Sequence, residues 1–582
     1  MSDDNSDLED EFEDALEVQT LPNTMDLMTA ISEGKVAIHY FFNNKFYEAQ
    51  EILKPWVGRS MYHTVGNATF NFLEAVLTFE RKSIERASSS LKLSIQLCNY
   101  YRKKNTFSES LGKMVKKPNY DLYTPEEIHA ELCFAESLLL KALLTFIEDE
   151  TLVSFIRAGL KIRSCYNSYK ECNTILNSRT WGDDEPHKVH FESGVRIGIG
   201  LFNLMISLLP GRVIKLLEFI GFSGSKEKGL SELFLCYNLK SGLMHVLSVL
   251  ALLAYNLIIK YFVSQEEGDL EFCDKVLNNQ LTLYPEGAWF LYFKGRLELI
   301  QGNIKDSIIW YIKSWKSQDV WPQFHHICFW ELTWANCMLG DWKEADVYAS
   351  YLLKESKWSR TIYSYQKASI MLMNNEEDLT DDDLSTITSL MCNVPKWKQR
   401  IAGKSLPMEK FAIKKAERFA SQNNHLVLPA LELLYIWNYF KIISKKWELC
   451  DNVYRIIDKC YKNFQQNPDQ FGKQYASDNN ALILLLKGSC LRHMGKPLQA
   501  EQCFKDIISM EKNIKYDTYI VPFSLFELAL IYKSKGNFEK AAEILEDAKK
   551  NYSGYSLDTR LHFLVHSELT EINNQKNRYN VT

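Results

Sequence analysis

The sequence predicts an all-α solenoid, a one-dimensional stack of helix-turn-helix repeats that is irregular in its middle, and three observations carry that expectation. First, Leu525 to Ala548 sets two helical patterns on either side of Gly536, with small residues at Ala529, Ala541 and Ala548 and large ones at Tyr532, Phe538 and Leu545. Second, the same register recurs. Gly488, Gly495, Ala500 and Phe504 form one copy; Gly295, Gly302, Ile304 and Tyr311 form another, with Ser307 as its small residue; Gly340, Trp342, Ala345 and Ala349 form a third. Third, 582 residues that are 46% apolar and 13% aromatic, with only 25 Gly and 14 Pro, supply a core and long helices rather than a loop-rich β fold.

Each position has a mechanical reason. Small residues let two antiparallel helices approach closely, the glycine between them makes the turn, and the large residues fill the seam. This is the pattern of a tetratricopeptide unit, which cannot bury its apolar face alone and must stack on neighbours. The clearest copies fall at 30–60, 68–98, 245–285, 288–318, 326–356, 481–511 and 522–552. The first uses Ala37, Tyr40, Phe46, Ala49 and Leu53, and the second Ala75, Ile84, Ala87 and Leu91. No successor as clear follows Ala75 before residue 260, and Pro497 stands where a bulky residue is expected. The expected organisation is an acidic disordered tail at 1–22 and one solenoid at 23–582.

Charge is distributed unevenly. Residues 1–17 carry nine acids and no Lys or Arg, so a chain of net charge −5 leaves its remainder at +4. Such a block reads as a solvated, disordered tail and lacks the basic start and apolar run of a secretory signal. Thirteen cysteines, none in a CxxC pair, lie mostly within apolar helical patterns, Cys98, Cys236, Cys328, Cys490 and Cys503 among them. They read as buried thiols of a reducing, cytoplasmic setting rather than as a disulfide framework.

Two apolar blocks invite a membrane reading. Gly242 to Val263 has the length and apolarity of a span, yet it leads into Gly268, Asp269, Leu270, Cys273, Leu277 and Pro285, which continue as the turn and second helix of a repeat. Tyr261 precedes Gly295 by 34 residues, one repeat period, so the block is expected to be a buried first helix. In Gly194 to Leu230, Gly198-x-Gly200 lacks the third glycine and the setting of a dinucleotide fingerprint. Close helix packing explains it, with a break at Pro210-Gly211, while Arg196, Arg212 and Lys215 suit anionic headgroups if the block touches a membrane.

The 194–230 block, AWFLYFKGRLELIQGN at 288–303 and KWKQRIAGKSLPMEKFAIKKAERF at 396–419 together resemble the tetratricopeptide repeat protein 39 family, whose relatives include fungal inclusion-body-clearance proteins. The resemblance covers residues 25–570 in family order. It implies an all-helical repeat protein with no assigned enzymatic activity, in a family linked to lipid homeostasis and aggregate clearance, and it carries over no ligand. The acidic tail and the acidic segment 375–383 match no family motif.

The strongest site candidate is the basic run of Lys396, Lys398, Arg400, Lys404, Lys410, Lys414, Lys415 and Arg418. Lys410, Lys414 and Arg418 recur every four residues and are expected to share one helix face, with Phe411, Ala412, Lys415 and Phe419 on the other side. The plain reading is a solvated face. The functional one is an anion site for an acidic peptide, an anionic lipid headgroup or the protein's own tail. An acidic overall balance and the lack of any recognisable module argue against nucleic acid.

Trp181 to Glu192 gathers Asp183, Asp184, Glu185, His187, His190 and Glu192, but without cysteines it reads as a polar loop before a helix rather than a metal site. No nucleophile elbow, zinc-protease or phosphate-loop signature occurs, and no cofactor is expected. Lys-x-x-x-Asn pairs occur only at Lys275/Asn279, Lys459/Asn463 and Lys576/Asn580, none on a first repeat helix, so capture of a C-terminal carboxylate is not supported. The aromatics from Trp289 to Trp342 are expected to be mainly core, with a few on the concave side suiting an apolar partner. Thr124, Pro125 and Glu127 form a helix start. The chain is therefore expected to be a non-enzymatic scaffold or adaptor that binds a partner protein on its concave surface. The competing expectation is a peripheral membrane or lipid-droplet adaptor docked through 194–230 and 396–418.

Overall fold

A computed structural model describes residues 25–78, 80–102, 118–148, 152–208, 224–356, 358–398, 406–470 and 472–579, so the acidic tail lies outside the described residues. The chain divides into two compact units, Met1–Leu252 and Leu253–Thr582. All regular elements among the described residues are helical, as an all-α repeat protein requires.

The first unit contains α1 (Leu27–Phe42), α2 (Phe46–Leu53), α3 (Met61–Thr78), α4 (Arg81–Tyr101), α5 (Pro125–Glu148), α6 (Leu152–Ser178), α7 (Lys188–Ser207) and α8 (Lys226–Asn238). Helix α9 (His245–Ala254) follows and continues through a π turn (Tyr255–Ile259) into α10 (Lys260–Val263), the division between units falling within α9. The second unit continues with α11 (Leu270–Leu283), α12 (Ala288–Ile300), α13 (Ile304–Lys316), α14 (Pro322–Leu339), α15 (Trp342–Glu355), α16 (Arg360–Met371), α17 (Asp381–Asn393) and α18 (Pro407–Ser421). Then come α19 (Pro429–Ile436), α20 (Phe440–Ile443), α21 (Trp447–Gln466), α22 (Ala476–His493), α23 (Pro497–Ser509), α24 (Ile520–Ser534), α25 (Phe538–Lys550) and α26 (Asp558–Tyr579).

The repeat positions act as their spacing implies. In the second unit Ala345, Ala500, Ala529, Ala541 and Ala548 are buried between paired helices. A Cβ on Gly488 would fall 2.7 Å from the Phe504 ring, so α22 and α23 can touch only through a glycine. Gly295 meets Tyr311 in the same way across α12 and α13, at 2.9 Å. The turns at Gly302, Gly340, Gly495 and Gly536 all adopt φ between +69° and +81°, a left-handed conformation that costs glycine nothing. The residue after the turn often caps the next helix: Asp341 accepts from the Glu344 N–H at 3.1 Å, and Asn537 from Lys540 at 3.1 Å. Tyr532 fills the seam only in part, because its hydroxyl reaches out to Glu501 of the preceding pair at 3.0 Å. Pro497 is no defect: it occupies the first turn of α23, where its missing N–H has no helical partner to lose.

The described part of the stretch without clear repeats is also helical, and glycine explains why it escapes the pattern. Gly200 and Gly229 bring α7 and α8 together so closely that a Cβ on Gly229 would lie 3.0 Å from the Gly200 carbonyl. A Cβ on Gly194 would lie 2.5 Å from Leu132 of α5. Backbone-to-backbone packing of this kind needs glycine, as expected for this block, whereas Pro210-Gly211, Arg212 and Lys215 lie outside the described residues. Arg196 is not available to a headgroup, since it pairs with Glu192 at 3.2 Å and Glu232 at 3.0 Å. Thr124 and Glu127 form the expected reciprocal cap, with distances of 3.2 and 2.9 Å. The acidic segment before α17 also has a local role, because Thr380 and Asp383 make a second capping box.

The helix from His245 to Val263 is long and apolar enough to cross a membrane by length and composition. Its polar side chains in the second unit are nevertheless engaged by that unit. Asn256 accepts from the Asp269 N–H at 2.9 Å, the Tyr261 hydroxyl donates to the Asn438 carbonyl at 2.7 Å, and Lys260 pairs with Glu266 at 3.2 Å. Eleven of the thirteen cysteines are buried, Cys392 is exposed, and all are free thiols.

Candidate functional site

The basic run does not form one surface. Lys396 and Lys398 are exposed beside the short helical turn Val394–Trp397, where Lys396 donates to the Asn393 side chain at 3.1 Å. Arg400 and Lys404 lie outside the described residues. On α18, Lys410 and Lys414 are exposed, whereas Arg418 is only 6% exposed and points into the second unit. The expectation of a shared solvent face for Lys410, Lys414 and Arg418 is therefore corrected for Arg418. Four-residue spacing rotates a side chain by 40° per step, and two steps carry Arg418 to the border where α22 and the turn before α24 cover it.

Beneath that border lies an ionic network of residues far apart in sequence. Lys415 contacts Glu432 at 2.6 Å and Asp517 at 2.9 Å. Arg418 pairs with Asp517, donates to Asn479 at 2.6 Å and to Gln422 at 2.9 Å, and lies over the Tyr475 ring at 4.9 Å. The Tyr519 hydroxyl donates to Glu432 at 2.5 Å. Asp478 accepts the backbone N–H groups of Lys515, Tyr516 and Asp517 at 3.3, 2.8 and 2.7 Å, tying the 515–517 turn to the first turn of α22. Burial alone would raise the Asp517 carboxyl, but Lys415 and Arg418 outweigh it and hold it below its usual value. Burial prevails at Glu432, whose carboxyl is raised although Lys415 opposes the shift.

This network floors a pocket of about 370 Å³ that opens between α18, Tyr475 and residues 515–519. Its rim carries the exposed Lys414, Lys515, Tyr516 and Glu417. Among the described residues, four cationic side chains, Lys414, Lys415, Arg418 and Lys515, line it against two acids, Glu417 and Asp517. Both acids' neighbours and the Asp478 anchor hold the walls in place without a ligand. The arrangement can receive a small anionic group at its rim; it presents no nucleophile paired with a base.

Sequence reasoning located α18 but missed Glu432, Asp478, Asn479, Asp517 and Tyr519. A signal was present for one of them: Glu432 is a lone acid in the apolar run PALELLYI, whereas Asp478 sits in a polar stretch ahead of ALILLL. Of the aromatics between Trp289 and Trp342, none is exposed; Trp334, Tyr311 and Phe290 are fully enclosed. Trp289, Trp310, Trp315, Trp330 and Trp342 are half-buried, so each keeps only part of its surface toward solvent.

Among the described residues, no three His, Cys, Asp or Glu side chains gather as metal ligands. His187 of the 181–192 segment instead joins α5: it meets His129 at 3.2 Å, and His129 meets the Tyr62 hydroxyl at 2.5 Å. Burial holds His129 and His187 below the ordinary histidine range and lowers His190 to about 4.

Comparison with known proteins agrees with the repeat architecture. Residues 35–494 match the family model described as Iml2/Tetratricopeptide repeat protein 39, and residues 524–552 match a tetratricopeptide repeat model. A relative from Caenorhabditis elegans, "Tetratricopeptide repeat protein ttc-39B", is 36% identical over 562 residues, covering 96% of this chain and 95% of its own. Among solved structures, the Cut9-Hcn1 hetero-tetramer aligns over 93% of this chain and 97% of that one, with 10% identity and a TM-score of 0.25. Yeast Tom70 aligns over 94% and 96%, with 11% identity and a TM-score of 0.23. On the family match and the full-length relative, the chain belongs to the Iml2/tetratricopeptide repeat protein 39 family.

Proposed function

We propose that the protein is a non-enzymatic tetratricopeptide-repeat scaffold that holds a partner protein, and that an acidic segment of that partner seats at the α18 pocket. The carrying observation is the cationic excess around a cavity whose walls are held by the Lys415–Asp517–Arg418 network. Preorganised walls lose little freedom on binding, and exposed lysines at the rim attract an acidic segment at long range. A role in lipid homeostasis or aggregate clearance is an extension of this reading that rests on family membership. Docking on anionic lipid through 194–230 and 396–418 is less favoured, because Arg196 and Arg418 are both committed to internal carboxylates.

The test is crosslinking mass spectrometry on the full-length protein in cytosolic extract, comparing wild type with Lys414→Glu/Lys515→Glu. Both positions are exposed, so the fold is retained, which circular dichroism checks. Crosslinks from Lys414 or Lys515 to acidic segments of one dominant partner in the wild type, together with loss of that partner's recovery and of its crosslinks from unmutated lysines in the variant, support the proposal. A partner retained equally by both forms, with its crosslinks elsewhere, overturns the assignment of the site.

A further inference from the structure

The first unit contains a second cavity of quite different chemistry. It measures about 210 Å³ and is walled by α1, α3, α5, α6, α7 and the residues around Leu243 to Leu247. Among the described residues its lining is almost wholly apolar, with Phe41, Leu73, Leu139 and Leu201 among the wall residues, and includes no Lys, Arg or His. A cavity of about 150 Å³ lined by aliphatic and aromatic side chains is large enough to take up benzene, so this one has room for more than a single ring. Two glycines shape the space. Gly34 leaves it open, since a Cβ there would meet nothing within 4 Å, and Gly198 lets the Tyr169 ring lie against α7.

One group does not belong in such a wall. Glu136 of α5 is the one acidic side chain among the described lining residues, and its Oε1 is sealed from solvent without a hydrogen-bond partner. An unpaired carboxyl oxygen in an apolar enclosure is costly to keep and carries no structural return here. We propose that this cavity is a binding site for an uncharged, mainly apolar molecule with one hydrogen-bond-accepting oxygen, and that Glu136 is its polar contact.

Charge selects that class. An anionic ligand would find no cation in the lining, and a cationic one would need Glu136 ionised. Burial opposes this, pushing the Glu136 carboxyl up to about 8, so at pH 7 it is mainly a neutral donor. The titratable groups facing it are Tyr62 of α3, Cys133 of its own helix, and Tyr169 and Cys172 of α6, all themselves raised and therefore uncharged. The Tyr62 hydroxyl is already taken by His129. The Tyr169 hydroxyl lies against Gly198 of α7, which leaves the unpartnered Glu136 Oε1 to serve the ligand oxygen. The site is independent of the α18 pocket, and its failure or success leaves that reading untouched.

Prodan, a neutral naphthalene ketone whose emission shifts to the blue in apolar surroundings, is a suitable probe for the full-length protein. The expected result is saturable 1:1 binding with blue-shifted emission at pH 7, weakening as pH rises through about 8 when Glu136 loses its proton. Glu136→Gln keeps a neutral donor and should bind with a flat pH profile over that range. Glu136→Leu should bind about tenfold more weakly, the loss of one buried hydrogen bond. Gly34→Phe, whose added side chain starts from a position with no neighbour within 4 Å of its Cβ, should fill the opening and abolish saturable binding while helicity and melting temperature hold. Non-saturable adsorption, or binding indifferent to both Gly34→Phe and pH, would overturn the proposal. Should Gly34→Phe fold poorly, the contrast in pH profile between wild type and Glu136→Gln decides alone.

Discussion

Arg296 of α12 and Glu331 of α14 meet at 3.1 Å with exposures of 1% and 7%, joining the first helices of two consecutive repeats. Arg296 also donates to the Leu257 carbonyl at 3.1 Å and lies 4.6 Å from the Tyr261 ring centroid, while the Tyr292 hydroxyl donates to Glu331 at 3.3 Å. Three repeat pairs thus share one charged centre, within the segment where Trp334 and Tyr311 are fully buried. Opposite charges enclosed together tolerate burial only as a pair.

Removing one partner should therefore cost far more than removing both. Glu331→Ala leaves Arg296 charged and uncompensated and is expected to destabilise the second unit by about 3–5 kcal/mol. Arg296→Met/Glu331→Leu, which refills the space with apolar volume, should recover most of that loss. Urea denaturation followed by tryptophan fluorescence, which reports the indoles around Trp330 and Trp334, measures the cycle. Equal losses in the single and double variants would refute the pairing argument.

The two faces of α18 should respond oppositely to charge reversal. Lys414→Glu changes an exposed rim residue and should alter the melting temperature by less than about 0.5 kcal/mol in equivalent stability. Arg418→Glu sets a second carboxylate against Asp517 in an enclosed site and should prevent stable folding of the second unit, a loss above about 4 kcal/mol. Differential scanning calorimetry of the two variants separates them directly.

Close helix contact makes Gly488 intolerant of even a methyl group. Gly488→Ala places a Cβ about 2.7 Å from Phe504 and is expected to cost roughly 1–3 kcal/mol, although alanine is the better helix former. Adding Phe504→Leu to Gly488→Ala should relieve part of the clash, so the double variant should melt above the sum of the single losses.

Acid should weaken the first unit through its histidines. His129, His187 and His190 all have folded values below the ordinary 6.5, His190 at about 4, mainly because burial opposes their charged form. Stability from groups held neutral is complete above pH 6.5 and declines as pH falls toward 4, since the unfolded chain binds protons that the folded one refuses. Thermal melts from pH 7.5 to 4.5 should show this fall, and His190→Gln should flatten it. A variant as acid-sensitive as the wild type would show that the decline arises elsewhere.

What could be read directly were the positions whose role is local. Ala541, Gly536 and Gly340 announce a helix pair because a close crossing needs small side chains and a tight turn needs positive φ, both properties of a few adjacent residues. Thr124-Pro125-x-Glu127 announces a cap for the same reason. In the middle of the chain, glycines at Gly194, Gly200 and Gly229 serve packing partners on other helices, so no fixed period betrays them. Tertiary structure alone decided the sites. Arg418 repeats every four residues with Lys410 and Lys414, yet it is buried because Asp517, 99 residues on, lies against it. Glu136 reads as one acid in an amphipathic helix, and only the convergence of α1, α3, α6 and α7 leaves it alone in an apolar cavity. Periodicity records which face of a helix is apolar; it does not record which neighbour covers the border of that face. In a stack where each helix meets several others, that border is where charges are paired and cavities form.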